Sequence, residues 1–277
     1  MASSSADVAL LALAALSCRK PAPENRHDEP PPVVSSTIDA APEVDAGRPP
    51  LAAPWIEKLE LPEGGVAFVT PPVGAREPRP IVVAIHGAVD DPGLMCSAWR
   101  LIADEYPFVV CPGGNPIGPP ASGRKYVWSS GEQIAKRVHQ AIDLVRAHYG
   151  SEWFVDGPMT YAAFSQGANM AAPLLTREHD FPRVVFTEGG YHVFEDAKTA
   201  RAFAYGGDGR VLFTCSQPGC AGSFAASRAT LESAGVKAKV EYSGPHGHSM
   251  PPAVRESIHG ELPFLIAGLR GWENYGR

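Results

Sequence analysis

Short apolar runs alternate with segments of helical period along most of the chain. Residues 66–70 (VAFVT), 81–85 (IVVAI), 108–111 (FVVC), 160–164 (TYAAF), 184–187 (VVFT), 211–214 (VLFT) and 236–242 read as strands. The run IVVAI has no polar alternation, as expected of a strand covered on both faces. Ile134, Val138, Ala141, Ile142 and Val145 recur at intervals of three and four, which predicts an amphipathic helix over 132–149. Further helices are predicted over 166–176, over 223–234 with Gly235 closing it, and over 253–268. Strands that alternate with helices in this way imply one α/β domain over 55–277. Its expected form is a mostly parallel central sheet with helices on both faces.

Residues 1–54 follow a different pattern. The apolar run at 8–17 falls short of the roughly 18 to 20 residues that cross a bilayer and has the length of a signal-peptide core. Ser17 ends it and Cys18 follows, then Arg19 and Lys20. This resembles a bacterial lipoprotein signal, with 1–17 removed and Cys18 lipidated. The stretch departs from that pattern in having Asp7 and no Lys or Arg ahead of the run, and Ala15 where Leu is usual. The expected location is the bacterial cell envelope or periplasm, with a cytoplasmic location as the alternative. The only expected membrane contact is through the lipid. Residues 19–54 hold nine prolines and no apolar periodicity, so 18–54 is expected to be a disordered Pro-rich linker.

Composition narrows the function. Of the 277 residues 44% are hydrophobic, enough for a sizeable core, and 24 basic against 30 acidic residues give a net charge of −6. That balance argues against a broad nucleic-acid-binding face. Neither a phosphate-cradling loop nor a dinucleotide fingerprint follows a strand, and Gly206-Gly207-Asp208-Gly209 is a turn before one. Apart from Cys18 the cysteines are Cys96, Cys111, Cys215 and Cys220, an even number consistent with two disulfides in an oxidising compartment. Cys215 and Cys220 flank the turn-forming SQPG and can pair locally; free thiols and a zinc pair are the alternatives.

The sharpest chemical signal is Ala163-Phe164-Ser165-Gln166-Gly167, set between a predicted strand and a predicted helix. A strand–turn–helix bend there would lift the Ser165 hydroxyl above the sheet, and the small residues at 163 and 167 would let neighbouring backbone approach. The alternative is a serine that only caps the helix. Two further motifs stand in order, His86-Gly87-Ala88 after the run at 81–85 and Gly247-His248-Ser249 after the last strand. Together the three motifs resemble the α/β-hydrolase superfamily over most of 60–270, in particular its carboxylesterase and acyl-protein thioesterase branch, with related polyester-depolymerase and feruloyl-esterase-like proteins. The resemblance implies a three-layer α/β-hydrolase fold with Ser165 as nucleophile and His248 as base, His246 being the rival. It also implies an oxyanion hole from the N–H groups of Ala88 and Gln166, with His86 holding its loop. No metal or organic cofactor is implied, and the expected substrate is a small-molecule or acyl ester.

The third catalytic group is the departure. The family usually places an Asp after the strand at 211–214, but here Cys-Ser-Gln-Pro-Gly-Cys follows and no acid occurs before Glu232. Some members carry the acid one strand earlier, and Glu188 directly follows the strand at 184–187. Glu195, Asp196 and Asp208 are later candidates, and a site with no acid is the remaining alternative. Tyr126, Trp128, Tyr191 and His192 are candidates for a pocket wall, the alternative being that they only pack their loops. The implied function is a serine hydrolase that cleaves carboxylic esters or thioesters through an acyl-enzyme. Two rivals are an inactive α/β-hydrolase serving as a cell-envelope binding lipoprotein, and an exported peptidase of the same fold.

Overall fold

The computed structural model of the protein describes residues 48–119 and 124–277. The apolar run at 8–17, Cys18 and the linker as far as residue 47 lie outside the described residues. The strands are β1 (Glu57–Leu61), β2 (Gly65–Thr70), β3 (Ile81–Ile85), β4 (Phe108–Pro112), β5 (Asn115–Ile117), β6 (Lys125–Val127), β7 (Thr160–Phe164), β8 (Arg183–Thr187), β9 (Arg210–Cys215) and β10 (Lys237–Tyr242). Eight of them form one sheet in the order β1-β2-β4-β3-β7-β8-β9-β10, while β5 and β6 make a separate antiparallel ribbon. The pairings from β4 through β10 are parallel, whereas β2 runs antiparallel to both β1 and β4.

Parallel neighbours need long crossovers, and helices supply them. The helices are α1 (Pro92–Ile102), α2 (Gly131–Tyr149), α3 (Gln166–Asn169), α4 (Ala172–Arg177), α5 (Ala197–Ala204), α6 (Cys220–Ser223), α7 (Ala225–Ser233) and α8 (Pro252–Ile266). β3 shows why its sequence is uniformly apolar. Ile81, Val83 and Ile85 pack with Ile134 and Val138 of α2 on one face, while Val82 and Ala84 pack with Trp99 of α1 and Ile258 of α8 on the other. Each face of the sheet therefore has its own apolar cluster, and the three layers follow.

Several elements differ from the sequence reading. The helix expected over 166–176 is two pieces, α3 and α4, broken at Met170 and Ala171. Pro173 has no N–H to give the carbonyl four residues earlier, so the ladder cannot pass that point. α1 was not anticipated, although Asp91 caps it by accepting from Gly93 N (2.8 Å) and Pro92 opens it. The domain also takes in residues ahead of residue 55. Leu51 is buried, its N–H donates to Ala75 O (2.7 Å), and its carbonyl accepts from Gly74 N (2.8 Å). The linker's last residues thus belong to the domain. Among the described residues there are two disulfides: Cys96–Cys111 ties α1 to β4, and Cys215–Cys220 closes the turn after β9.

Leu51→Ala is expected to lower the unfolding free energy by about 2 kcal/mol or more in a urea titration of the full chain. An unchanged midpoint would mean that this segment adds nothing to the core.

Candidate active site

β3, β7, β8, β9 and β10 all end on one rim, where parallel sheets gather their loops. Ser165 stands on the turn from β7 into α3 at φ 49° and ψ −113°, a conformation non-glycine residues rarely adopt. Its N–H is tied to Thr187 O (2.9 Å). Two glycines make the bend possible. A Cβ on Gly167 would lie 2.6 Å from Ile85 Cγ2, and one on Gly189 would lie 2.5 Å from the Ser165 carbonyl oxygen. At 163 alanine is accommodated, buried in β7.

The loop from β10 to α8 brings His248 over this bend, with Nε2 2.8 Å from Ser165 Oγ. Glu188, at φ 55° at the end of β8, lies on the other side of the imidazole. Its side chain is fully buried while that of His248 is 47% exposed, so the carboxylate is shielded from water and the imidazole is reachable. One carboxylate oxygen accepts from Ser216 N and from Ser216 Oγ (2.7 Å). The other accepts from Gln217 Nε2 (2.8 Å) and is 3.7 Å from His248 Nδ1. Both oxygens of this buried carboxylate thus have hydrogen-bond donors. The structure therefore brings Ser165, His248 and Glu188 together.

No family model and no curated protein matches the chain. Solved structures do. Est1E from Butyrivibrio proteoclasticus is similar with a TM-score of 0.55 at 12% identity, over 77% of this chain and 100% of that one. Poly(aspartic acid) hydrolase-1 from Sphingomonas sp. KT-1 gives 0.51 at 15% identity, over 78% and 100%. An acylaminoacyl peptidase from Pyrococcus horikoshii gives 0.53 at 13% identity, over 83% of this chain and 43% of that one. The chain has the α/β-hydrolase fold.

Within this α/β-hydrolase fold the remaining candidates separate clearly. Ala88 lines a cavity of about 530 Å³ that also contains Ser165 and His248. Leu94, Met95, Ala98, Leu101 and Met250 make much of its wall apolar. Gln166 opens α3, and its side chain exchanges two hydrogen bonds with the Trp128 backbone, 2.9 and 3.1 Å. Its own amide is thus carried on the bend beside Ser165 while its side chain is occupied elsewhere.

Tyr126 and Trp128 do not line this cavity. Both are buried, and Trp128 stacks on His86 at 4.8 Å and donates from Nε1 to His86 O (3.1 Å). They shore up the loop that carries Ala88. Tyr191 packs on Phe224, and exposed His192 pairs with Glu195 (2.8 Å). Asp196 caps α5 by accepting from Thr199 N, and Asp208 pairs with Arg183 and Lys237. None of these acids reaches His248. His246 is held by its backbone N–H on Ser216 O (3.0 Å), and no hydrogen bond joins its ring to Ser165 among the described residues. Gln217 is the neighbour that sequence reasoning missed, because its place between Glu188 and His248 (Nε2 to Nδ1, 3.2 Å) depends on three separate strands meeting.

His86 is buried and accepts from Gly114 N at Nε2 (3.1 Å), so its Nδ1–H faces Gly87 O (2.6 Å). Burial pushes its pKa below the ordinary value, and the ring is neutral in the folded chain. The unfolded chain takes up this proton below about pH 6.5 and the folded chain does not. The His86 contribution is therefore complete above that pH and is lost as pH falls toward the lowered folded value. In urea unfolding from about pH 8 to about pH 5.5, His86→Gln is expected to flatten the acid-side decline by up to about 1.4 kcal/mol per pH unit. Equal slopes would show that His86 protonates in both states.

Proposed function

We propose that the protein is a serine hydrolase acting on carboxylic esters and thioesters through an acyl-enzyme. The observation that carries this reading is the 2.8 Å contact between Ser165 Oγ and His248 Nε2 on a strained strand–helix bend, with Glu188 buried behind the imidazole. A serine hydroxyl is a weak nucleophile near neutral pH and needs such a base. In the working tautomer His248 carries hydrogen on Nδ1, facing Glu188, and a lone pair on Nε2. Ser165 Oγ attacks the acyl carbonyl as its proton passes to Nε2, and the carbonyl electrons move onto oxygen.

The resulting oxyanion is held by the N–H groups of Ala88 and Gln166. Loss of one such donor in comparable sites costs about 3 to 4 kcal/mol of barrier. Imidazolium then protonates the leaving alcohol or thiol, the tetrahedral carbon collapses to the acyl-enzyme, and water repeats the sequence. Glu188 stabilises the imidazolium without taking its proton. The apolar wall of Leu94, Met95, Ala98, Leu101 and Met250 suits an acyl chain or another apolar part of a small ester. We further propose that the chain acts outside the cytoplasm, tethered to the cell envelope by lipid on Cys18.

A fluorophosphonate probe is expected to label the folded full chain, and Ser165→Ala to abolish labelling. Unlabelled wild type would favour a binding protein over an enzyme. Glu188→Gln is expected to lower kcat by about a thousandfold or more, and a value within about threefold of wild type would remove Glu188 from the mechanism. Faster turnover of p-nitrophenyl esters than of aminoacyl arylamides would favour esterase over peptidase. Radiolabelled palmitate is expected to enter the protein in a bacterial host and to be lost in Cys18→Ala; no incorporation would end the anchor proposal.

A further inference from the structure

An amide NH2 group can only donate hydrogen bonds. Gln217 Nε2 lies 2.8 Å from Glu188 Oε2 and 3.2 Å from His248 Nδ1. One hydrogen faces the carboxylate, so the second faces Nδ1, which must offer a lone pair. The opposite orientation of the amide would set its oxygen against the carboxylate with no hydrogen between them. Neutral imidazole with a free Nδ1 carries its hydrogen on Nε2. That hydrogen points at Ser165 Oγ, 2.8 Å away, and an imidazole in this form cannot accept the serine proton. Glu188 and Nδ1 are meanwhile 3.7 Å apart, beyond hydrogen-bond range.

We infer that Gln217 is a positioning residue that sets the tautomer of His248. In the resting site its amide occupies the place of the direct Glu188–His248 hydrogen bond and keeps the imidazole as a donor to Ser165. Catalysis requires the amide to leave, so that Nδ1 takes the hydrogen and Glu188 closes on it.

The surroundings suit a side chain that swings on a fixed backbone. Gln217 lies in the turn closed by Cys215–Cys220. Its neighbour Ser216 donates from its N–H and from Oγ (2.7 Å) to Glu188, while Ser216 O accepts from His246 N (3.0 Å) and Gly247 N (3.2 Å). Glu188 and the His248 loop are thus both fastened to this turn without Gln217. Gln217 is half-buried beside exposed Pro218 and Gly219, so its amide can turn into water.

The catalytic meaning of this inference rests on the hydrolase reading above, but its first readout does not. The experiment uses full-length protein with 15N-labelled imidazole, His248 being assigned by the signals lost in His248→Asn. At neutral pH the wild type is expected to show hydrogen on Nε2 and a bare Nδ1. Gln217→Ala and Gln217→Leu, the second retaining bulk without a donor, are both expected to show hydrogen on Nδ1. Both variants are also expected to react with the fluorophosphonate about tenfold faster than wild type, equivalent to about 1.4 kcal/mol of barrier. Wild type with hydrogen already on Nδ1, no reversal in the variants, or reversal in Ala alone would overturn the proposal. Slower or equal labelling of the variants, with wild type labelled, would do the same. If no form is labelled, the tautomer reversal alone supports the positioning role, and it is the hydrolase reading that fails.

Discussion

A serine held at positive φ on the end of a buried parallel strand is the constraint around which the rim of this molecule is built. Ser165 can stay in that conformation only because β3 and β8 press against it from both sides. Gly167 lets the backbone of His86 come close, and Gly189 lets the β8 turn lie directly on the Ser165 carbonyl. The hydrogen bond from Ser165 N to Thr187 O fastens the bend to β8, and the buried Tyr161 hydroxyl fastens Gly167 from beneath (3.2 Å). Strain of a few kcal/mol at such a residue persists only when its surroundings over-determine it. Here packing of three adjacent strands does so, and the same packing delivers Glu188 to the rim.

Burial beneath and exposure above divide the site. The serine and the glutamate stand on buried strand ends, whereas the imidazole comes from a loop and is nearly half exposed. The Cys215–Cys220 turn connects the two regimes, because Ser216 holds the carboxylate with its N–H and hydroxyl and the histidine loop with its carbonyl. A residue with no acid–base chemistry of its own therefore decides how far apart the acid and the base lie.

Much of this was legible in the chain, for physical reasons that can be traced. Strands covered on both faces leave uninterrupted apolar runs, so β3, β4, β7, β8 and β9 could be read directly. The bend at Ser165 announced itself through small residues at fixed offsets between a strand and a helix. Glu188 could be picked out because the end of a parallel strand fixes where its next residue must lie. What escaped depended on tertiary neighbours. β1 is an exposed-edge strand with a weak pattern, and α1 hid its cap and its apolar stripe behind a loop-like Asp-Asp-Pro-Gly. The break between α3 and α4 follows from Pro173, which the surrounding apolar helical pattern masks. Trp128 could be read either as a pocket aromatic or as loop packing, and it packs beneath the loop because His86 offers it a stacking partner and a carbonyl. Gln217 had no local signal at all.

The position of the carboxylate has an implication for how such a site can change over time. β8 and β9 are in-register parallel neighbours, with Thr187 opposite Thr214, and paired strands run about 4.8 Å apart. Glutamate has one more methylene than aspartate, and its reach covers much of that spacing. An acid can therefore pass from one strand end to the next without the imidazole having to find a new direction. During such a transfer a chain could carry both acids, or a polar stand-in for one of them, while the serine and its strained bend stay untouched.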